Sequence, residues 1–472
     1  MSLQDSRGCP VSTRSGAALA QYEQALDLSV SYRLDPLAAV HSALETDPGF
    51  AMGHCLRAGL MIMATDRTVL PLLTESVEAI EVLGRRANDR ERAHAAAARS
   101  WLRGDFAGAV RRYGDILLDH PRDLLALQLA HVGDFFNGSS SLLRDRVAQV
   151  LPEWDRSVPG YGYVLGMHAF GLEETALYSR AEDVGRRALE FNPADAWAVH
   201  AVAHVMEMQG RLRDGIDFLS SREKDWAVNN GLAFHNWWHL ALFHLDAGNV
   251  TQVLDLFDRR IRPAASQVPL EMIDASALLW RVQLRGIDVG DRWQALANCW
   301  EPFVEHAYYA FNDVHAVMAF VAAQRFDLAE RALLAMEQRV PATDTNAIMT
   351  REVGYPVAQS LLSFATGKYS DVVKRLLPIR TIASRFGGSH AQRDLIHLTL
   401  IEAALRAGEP KLARALIAER TQLKPSSPFN WQLTARAMEL KGDAAAAAKA
   451  LENAETRRKA HIMPQRSMAY SS

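Results

Sequence analysis

A turn signal that recurs about every 34 residues, a period typical of helical repeats, constrains the fold of this chain more than any other feature. The successive turn positions are taken by Gly104, Gly138, Ala176, Gly210 and Gly248. The intervals between them are similar but not identical, so the repeats are imperfect in length. Such a period predicts stacked pairs of antiparallel helices, because one pair cannot bury its apolar face alone.

One unit shows the pattern clearly, in the stretch "ERAHAAAARSWLRGDFAGAVRRYGDILLDHPRD". It predicts a helix that ends at Leu102, a turn at Gly104, and a second helix that begins near Phe106 and ends before Pro121. The small residue Ala109 lets the two helices approach closely, and the proline cannot continue the second helix. This unit is typical of a tetratricopeptide repeat (TPR).

The helical period continues along most of the 472 residues, with no Gly/Ser-rich or Pro-rich linker between units. We therefore expect an all-α fold in which residues 20–458 form one TPR-like α-solenoid. Residues 1–19 are expected to be a flexible N-terminal segment, and residues 459–472 a frayed tail. A solenoid that closes around its concave pocket is one outcome of such an array.

Composition excludes several classes of function. The net charge is −3 and no block of like charges occurs, which argues against a nucleic-acid or anionic-lipid partner. No run of eighteen apolar residues and no signal peptide are visible, so we expect a cytoplasmic protein without a membrane span. Cys9, Cys55 and Cys299 lack CxxC spacing, so a bound metal would need nitrogen and oxygen ligands.

Several long motifs occur in a characteristic order: "HAVAHVMEMQG", "HNWWHLALF", "GIDVGDRWQ", "FNDVHAVM", "LLPIR" and "GGSHAQRD". On these motifs the chain resembles the tetratricopeptide repeat protein 38 family over nearly its whole length. The resemblance implies an all-helical repeat fold and no settled biochemical activity. It also implies that residues about thirteen, ten, nine, six and three places before each turn face the concave side.

This register gives the histidines of the first motif a direction. His200, His204 and Glu207 stand ten, six and three residues before Gly210. At about 100° per residue these three side chains lie within roughly 60° of one another on the helix surface. We expect them to project together into the concave pocket.

The next repeat offers a similar set. His235 and His239 stand thirteen and nine residues before Gly248, and Trp238 stands ten before it, so all three should face the pocket. His244 falls on the opposite face and is expected to pack between helices. We interpret Trp238 as a wall that contacts a substrate.

Two further positions extend the candidate site. Glu173 and Glu174 precede the turn at Ala176 by three and two residues, so a carboxylate from this repeat should face the same side. His315 precedes the turn at Gln324 by nine residues and is predicted to contact substrate. Neighbouring helices lie about 8–10 Å apart, which long side chains can bridge.

Imidazoles that converge with carboxylates suit a divalent metal such as zinc or iron. We therefore expect a metal-dependent enzyme that acts on a small molecule by hydrolysis, with Glu207 or Glu174 as general base. The spacing is not HExxH, which excludes the usual zincin arrangement. The predicted metal ligands are His200, His204, His235 and His239.

A non-catalytic alternative explains the same residues. Polar side chains in the groove of a repeat scaffold also bind peptides by hydrogen bonds. In that case the chain is a TPR scaffold that captures a peptide, a protein partner or a carboxylate-bearing ligand. The residues alone leave this alternative open.

The stretch "GGSHAQRDLIHLTL" is a second candidate site. Ser389 and Gln392 have the spacing of a capping box that opens a helix at about His390. Arg393 beside it is predicted to hold a carboxylate or phosphate of the substrate. The alternative is a plain turn in which Arg393 pairs with Asp394. If the solenoid closes, this loop would cap the pocket.

Overall fold

The computed structural model describes residues 3–462, and over that range the chain forms helices and two isolated β-bridges but no strand. The helices are, in chain order, α1 (Gly16–Val30), α2 (Pro36–Thr46), α3 (Ala51–Met63), α4 (Leu70–Leu83), α5 (Asp89–Leu102), α6 (Phe106–Asp119), α7 (Leu124–Phe136), α8 (Ser140–Val150), α9 (Tyr161–Glu173), α10 (Tyr178–Phe191), α11 (Ala196–Met208), α12 (Leu212–Ser221), α13 (Glu223–Trp226), α14 (Ala233–Asp246), α15 (Val250–Leu256), α16 (Pro269–Leu284), α17 (Arg292–Trp300), α18 (Ala310–Ala322), α19 (Phe326–Arg339), α20 (Thr345–Met349), α21 (Tyr355–Ala365), α22 (Tyr369–Ile379), α23 (His390–Arg406), α24 (Pro410–Leu423), α25 (Pro428–Lys441) and α26 (Ala444–Ile462).

Most of these helices form antiparallel pairs joined by tight turns, as the sequence predicts. The backbone takes positive φ at Gly104 (+81°), Gly210 (+67°) and Gly248 (+86°), a conformation that glycine adopts without steric cost. Ala176 and Gln324, the two non-glycine residues predicted at turn positions, also have positive φ, +60° and +58°. The all-α, TPR-like arrangement of helix pairs is confirmed.

The first helix of each pair lies inside the molecule. In α11, "AWAVHAVAHVMEM", every residue from Ala196 to Glu207 is buried, which fits a helix packed on all sides. Asp195 caps its N-terminus, where one carboxylate oxygen accepts hydrogen bonds from the amides of Trp197 and Ala198, both at 3.0 Å. Burial raises the pKa of Asp195 to about 7.

The superhelix closes on itself. Near the C-terminal ends of first helices in the first half of the chain, residues contact the second half by hydrogen bonds of 2.8–3.1 Å, in these pairs: Thr65 with Asn312, Trp101 with Tyr308, Gly104 with Thr345, Phe136 with Tyr309, Glu174 with His390, and Gly210 with Ser426. The concave side is therefore filled by the chain's own helices. The predicted pocket lies in a closed interior, and the polar residues expected to line an open groove are buried.

The N-terminal segment differs from its expected flexibility. Val11 is 1% exposed, and Arg90 donates a hydrogen bond of 2.9 Å to the carbonyl of Pro10. The backbone amide of Ser12 donates to the carboxylate of Glu91 at 2.8 Å. Residues 3–15 are thus tied to the start of α5, because that helix offers buried charges that this segment satisfies.

At the other end, α26 continues to Ile462 and includes the first residues of the predicted tail. The rest of that tail, residues 463–472, lies outside the described residues. Within 3–462, no helix has the length and apolar character needed to cross a membrane. The cytoplasmic location stays a prediction.

Candidate metal centre

Four histidines from two neighbouring helices meet in the closed interior. His200 and His204 come from α11, and His235 and His239 from α14, one repeat further on. Each offers a ring nitrogen such that all four nitrogens lie within 4.8 Å of one another. The Nε2 atoms of His200 and His235 are 3.0 Å apart. None of the four residues is more than 9% exposed, so the predicted ligand set is assembled away from bulk solvent.

Two of these histidines form hydrogen bonds to carboxylates through Nδ1, the ring nitrogen opposite the cluster. His239 donates from Nδ1 to Oε2 of Glu207 at 2.7 Å, and His235 donates from Nδ1 to Oδ2 of Asp274 at 2.6 Å. A carboxylate only accepts, so the proton sits on Nδ1 and the lone pair of Nε2 faces the other rings. This carboxylate–histidine arrangement is the usual support of metal-bound imidazoles.

A third carboxylate approaches His204. Its Nδ1 lies 3.4 Å from Oε2 of Glu173, which is fully buried on α9. Burial and the neighbouring charge of Glu174 raise the pKa of Glu173 well above its usual range. Glu173, Glu174 and His204 also bring ligand atoms within 4.8 Å of one another, so the cluster extends beyond the imidazoles.

Burial favours the neutral form of three of these imidazoles, those of His200, His204 and His239. Burial, reinforced by the other histidines, lowers the pKa of His200 and of His239 well below the usual value. Burial lowers the pKa of His204 to about 4. A neutral imidazole is the form that coordinates a metal, so these rings need no deprotonation before binding.

Several buried polar atoms of the cluster have no hydrogen-bond partner within the described chain. They include Nε2 of His239, both ring nitrogens of His204, Nδ1 of His200 and both carboxylate oxygens of Glu173. A buried polar atom without a partner costs about 1–3 kcal/mol, which makes so dense a group unusual. Nitrogen and oxygen atoms grouped this closely are a set that can bind a cation.

The aromatic neighbours hold the rings in place. Trp238 is fully buried and stacks on His235 with ring centroids 5.3 Å apart and an interplanar angle of 11°. The guanidinium of Arg281 covers the same indole at 5.4 Å. Trp238, predicted as a substrate wall, instead packs between these two side chains.

His315 on α18, which was predicted to contact substrate, lies apart from the four histidines. His315 is buried and its Nδ1 is 2.7 Å from the carbonyl of Phe311, one turn earlier. Burial lowers its pKa to about 4. His315 is not part of the group formed by the four histidines, and its ring packs against Phe311 with centroids 4.6 Å apart.

The loop before α23 caps this interior, as a closed solenoid would require. The capping box of Ser389 and Gln392 is present. The amide of His390 donates to Oε1 of Glu174 at 2.8 Å, and Arg393 donates to Oε2 of Glu174 at 3.3 Å. Arg393 thus holds a carboxylate of this chain, and Asp394 pairs with Arg420.

Glu174 and Glu207, the two predicted general bases, are both engaged in hydrogen bonds. Both oxygens of Glu174 accept hydrogen bonds, and although burial opposes its ionisation, His390 and Arg393 lower its pKa. Glu207 is bonded to His239. Both predicted general bases therefore already accept hydrogen bonds from other groups of this chain. Glu173, which lacks such a partner within residues 3–462, has the freer position.

Sequence reasoning missed Asp274. This residue lies on α16, two helix pairs away from α11, and stands twelve residues before the turn at Gly286. The register used for the histidines does not mark that position. Only the packing of α14 against α16 places its carboxylate on His235.

Comparison with solved structures gives matches at low sequence identity. A human IFIT1 dimer with PPP-AAAA has 12% identity and a TM-score of 0.41, with 93% of each chain covered. Yeast Tom70 has 14% identity and a TM-score of 0.31, covering 94% of this chain and 88% of that chain. The TPR domain of P58(IPK) has 12% identity and a TM-score of 0.22, covering 79% and 96%. No family model matches the chain.

The helix pairs, their positive-φ turns and their regular stacking define the architecture independently of these likenesses. The chain is a TPR-like helical-repeat protein whose closed interior holds a histidine cluster.

Proposed function

We propose that this protein binds a divalent transition metal, such as zinc or iron, through His200, His204, His235 and His239. The observation that carries the proposal is the pair of Nδ1–carboxylate hydrogen bonds at His235 and His239, which turn Nε2 of both rings toward the other histidines. Imidazole nitrogens suit zinc, iron, copper and nickel. The order and spacing of the motifs support a place in the tetratricopeptide repeat protein 38 family.

A bound ion would supply Lewis-acid chemistry or activate a water molecule. Glu173 is the carboxylate best placed to exchange a proton near it, because its two oxygens have no hydrogen-bond partner in residues 3–462 and its pKa is raised by burial. Glu207 and Asp274 would orient His239 and His235. This arrangement supports hydrolysis of a small molecule as the reaction class.

The test is metal analysis of protein purified without an affinity tag. We expect close to one equivalent of a transition metal per chain, lost in the double variant His204→Ala/His239→Ala. His244→Ala is the matched control, since His244 lies on α14 outside the cluster and is half-buried. Circular dichroism of each variant confirms the helical fold. A folded wild-type protein that neither contains nor takes up a metal would refute the proposal.

One observation supports the alternative, a non-catalytic scaffold: the number of histidines in the cluster. His200, His204, His235 and His239 would give a zinc ion four protein ligands, a number typical of a structural site rather than a catalytic one. In that case these histidines would hold an ion that links two repeats, and the outer surface would bind a peptide or protein partner. The closed interior argues against a peptide in the concave groove itself.

A single measurement separates the two candidates. Cobalt substituted into the site reports its coordination by absorption spectroscopy. Changes on addition of azide would indicate an open position and favour the enzyme. An unchanged spectrum together with a large loss of thermal stability on chelation would favour the scaffold with a structural ion.

A further inference from the structure

A cleft of about 390 Å³ opens on the outer side of the loop that caps the histidine cluster. It lies between α23 and α24 and is lined from α11 by Met208. A volume of this size fits a small molecule. The sequence predicted Arg393 as an anion-binding residue but did not predict this cleft.

The lining is strongly basic. It contains the permanent cations Arg380, Arg393, Arg420 and Lys424, against Asp394 as the carboxylate within the lining. The side chains of Arg393, Arg420 and Lys424 are only 9%, 12% and 15% exposed. Three mostly buried cations that share one small cleft repel one another, and Asp394, the partner of Arg420, is a single carboxylate within the lining to offset them.

All four cations have a carboxylate partner: Asp394 in the lining pairs with Arg420, and the half-exposed Glu419 pairs with Arg380. Glu174 holds Arg393, Glu207 lies 3.8 Å from Lys424, and neither lines the cleft. Donor capacity is left over on Arg420. Arg420 uses Nε and Nη1 for Asn430 and Asp394, while its Nη2 makes no hydrogen bond within the described chain.

Two further observations favour anion binding in this cleft. His397 lines the cleft, and its buried Nε2 has no hydrogen-bond partner among residues 3–462. A smaller cavity of about 50 Å³ shares Arg420, Lys424 and Asp394 with this cleft. Its other charged lining residues are Arg281, Arg285, Glu207 and Asp246. Burial there outweighs the nearby carboxylates, so that the pKa of Arg285 is lowered to about 10.

We propose that this cleft binds a small oxyanion, a phosphate or carboxylate group, through Arg380, Arg420 and Lys424. The site needs no metal and so goes beyond the proposed function. The cleft is connected to the histidine cluster, because Lys424 contacts Glu207 and Glu207 accepts a hydrogen bond from His239. An anionic ligand held here would sit two side chains away from the histidines.

The experiment is isothermal titration calorimetry of the full chain with inorganic phosphate and, separately, with citrate, at low ionic strength. We expect saturable binding of at least one of the two probes, and the stronger probe identifies the class of oxyanion. Lys424→Met and Arg380→Gln should each weaken binding about tenfold or more, because a hydrogen bond to a charged group is lost. Lys424→Arg should retain binding.

Arg259→Gln is the matched control, since Arg259 is 76% exposed on the surface and pairs with Asp255 away from the cleft. Arg380 lies at the rim with its side chain 32% exposed, so Arg380→Gln keeps the test valid even if Lys424→Met fails to fold. Metal content, measured in the same samples, should stay unchanged. The proposal is overturned if neither probe binds the wild type, or if the cleft variants bind as Arg259→Gln does.

Discussion

Nδ1 of His239 lies 2.7 Å from Oε2 of Glu207, and this bond joins two successive repeats at the centre of the molecule. Glu207 stands three residues before the turn of its repeat, and Glu173 stands at the same place one repeat earlier. Each approaches a histidine of the following repeat, His239 and His204 respectively. The repeat geometry thus delivers a carboxylate and an imidazole to each other from adjacent units.

Glu207→Gln should weaken metal binding by about 10–100-fold while the protein stays folded. The amide still accepts the Nδ1 hydrogen bond but lacks the charge that makes the imidazole a stronger ligand. Competition with a chromophoric chelator measures the change. The control is Glu190→Gln, at an exposed position on α10, which should leave the affinity unchanged. Equal affinities of the two variants would show that Glu207 does not contribute to metal binding.

Gly138→Ala should destabilise the closed superhelix much more than Gly286→Ala. Both glycines have positive φ, +68° and +77°, so alanine costs about 1–2 kcal/mol at either one. A Cβ at Gly138 would lie 1.7 Å from the backbone oxygen of Ser384, whereas a Cβ at Gly286 meets no atom within 4 Å. Urea unfolding compares the two, and similar losses would contradict the close contact between the two halves.

Asp195→Asn should change the pH dependence of stability. Burial raises the pKa of Asp195 from 3.8 to about 7 in the folded protein. Its stabilising contribution is therefore complete below pH 3.8 and is lost as pH rises through 7, at about 1.4 kcal/mol per pH unit. Asparagine also caps a helix but does not ionise.

The measurement is the free energy of unfolding of both proteins at about pH 5, 6, 7 and 8. The stability of the asparagine variant relative to wild type should rise with pH over this range. Subtraction removes the contribution of the histidines, which are the same in both proteins. A difference that does not vary with pH would refute the raised pKa of Asp195.

Arg393→Met should loosen the capping loop. It removes one partner of a buried ion pair with Glu174, a change that costs about 3–5 kcal/mol in buried sites. We expect faster hydrogen exchange at the amides of residues 387–392, including His390, which donates to Glu174. Arg385→Met, which removes a largely exposed arginine paired with Glu352, is the control. Equal protection in both variants would argue that the loop is held by other contacts.

The sequence predicted the architecture because the turn residues and the helical period are local properties. Gly104, Ala176 and Gln324 all mark turns where the structure has them. The inward direction of His204 and His239 was also predictable, because it depends only on their positions along single helices. These predictions needed no knowledge of how distant repeats meet.

Long-range packing was beyond the sequence. The contact of Glu174 with His390 joins residues 216 positions apart, and the Nδ1 partner of His235 comes from α16. Superhelical curvature decides which repeats meet, and it results from small rotations summed over many units. For the same reason the pairing of Arg393 with Glu174 instead of Asp394 was not predictable from neighbouring residues.

The most direct test of the metal centre is X-ray absorption spectroscopy on untagged protein with its metal content determined. We predict near-stoichiometric metal with a first shell of imidazole nitrogens at about 2.0–2.1 Å if the ion is zinc. His244→Ala should give the same spectrum, and His204→Ala/His239→Ala should have lost the ion. A first shell that contains sulfur, or an ion that persists unchanged in the double variant, would contradict the four-histidine site.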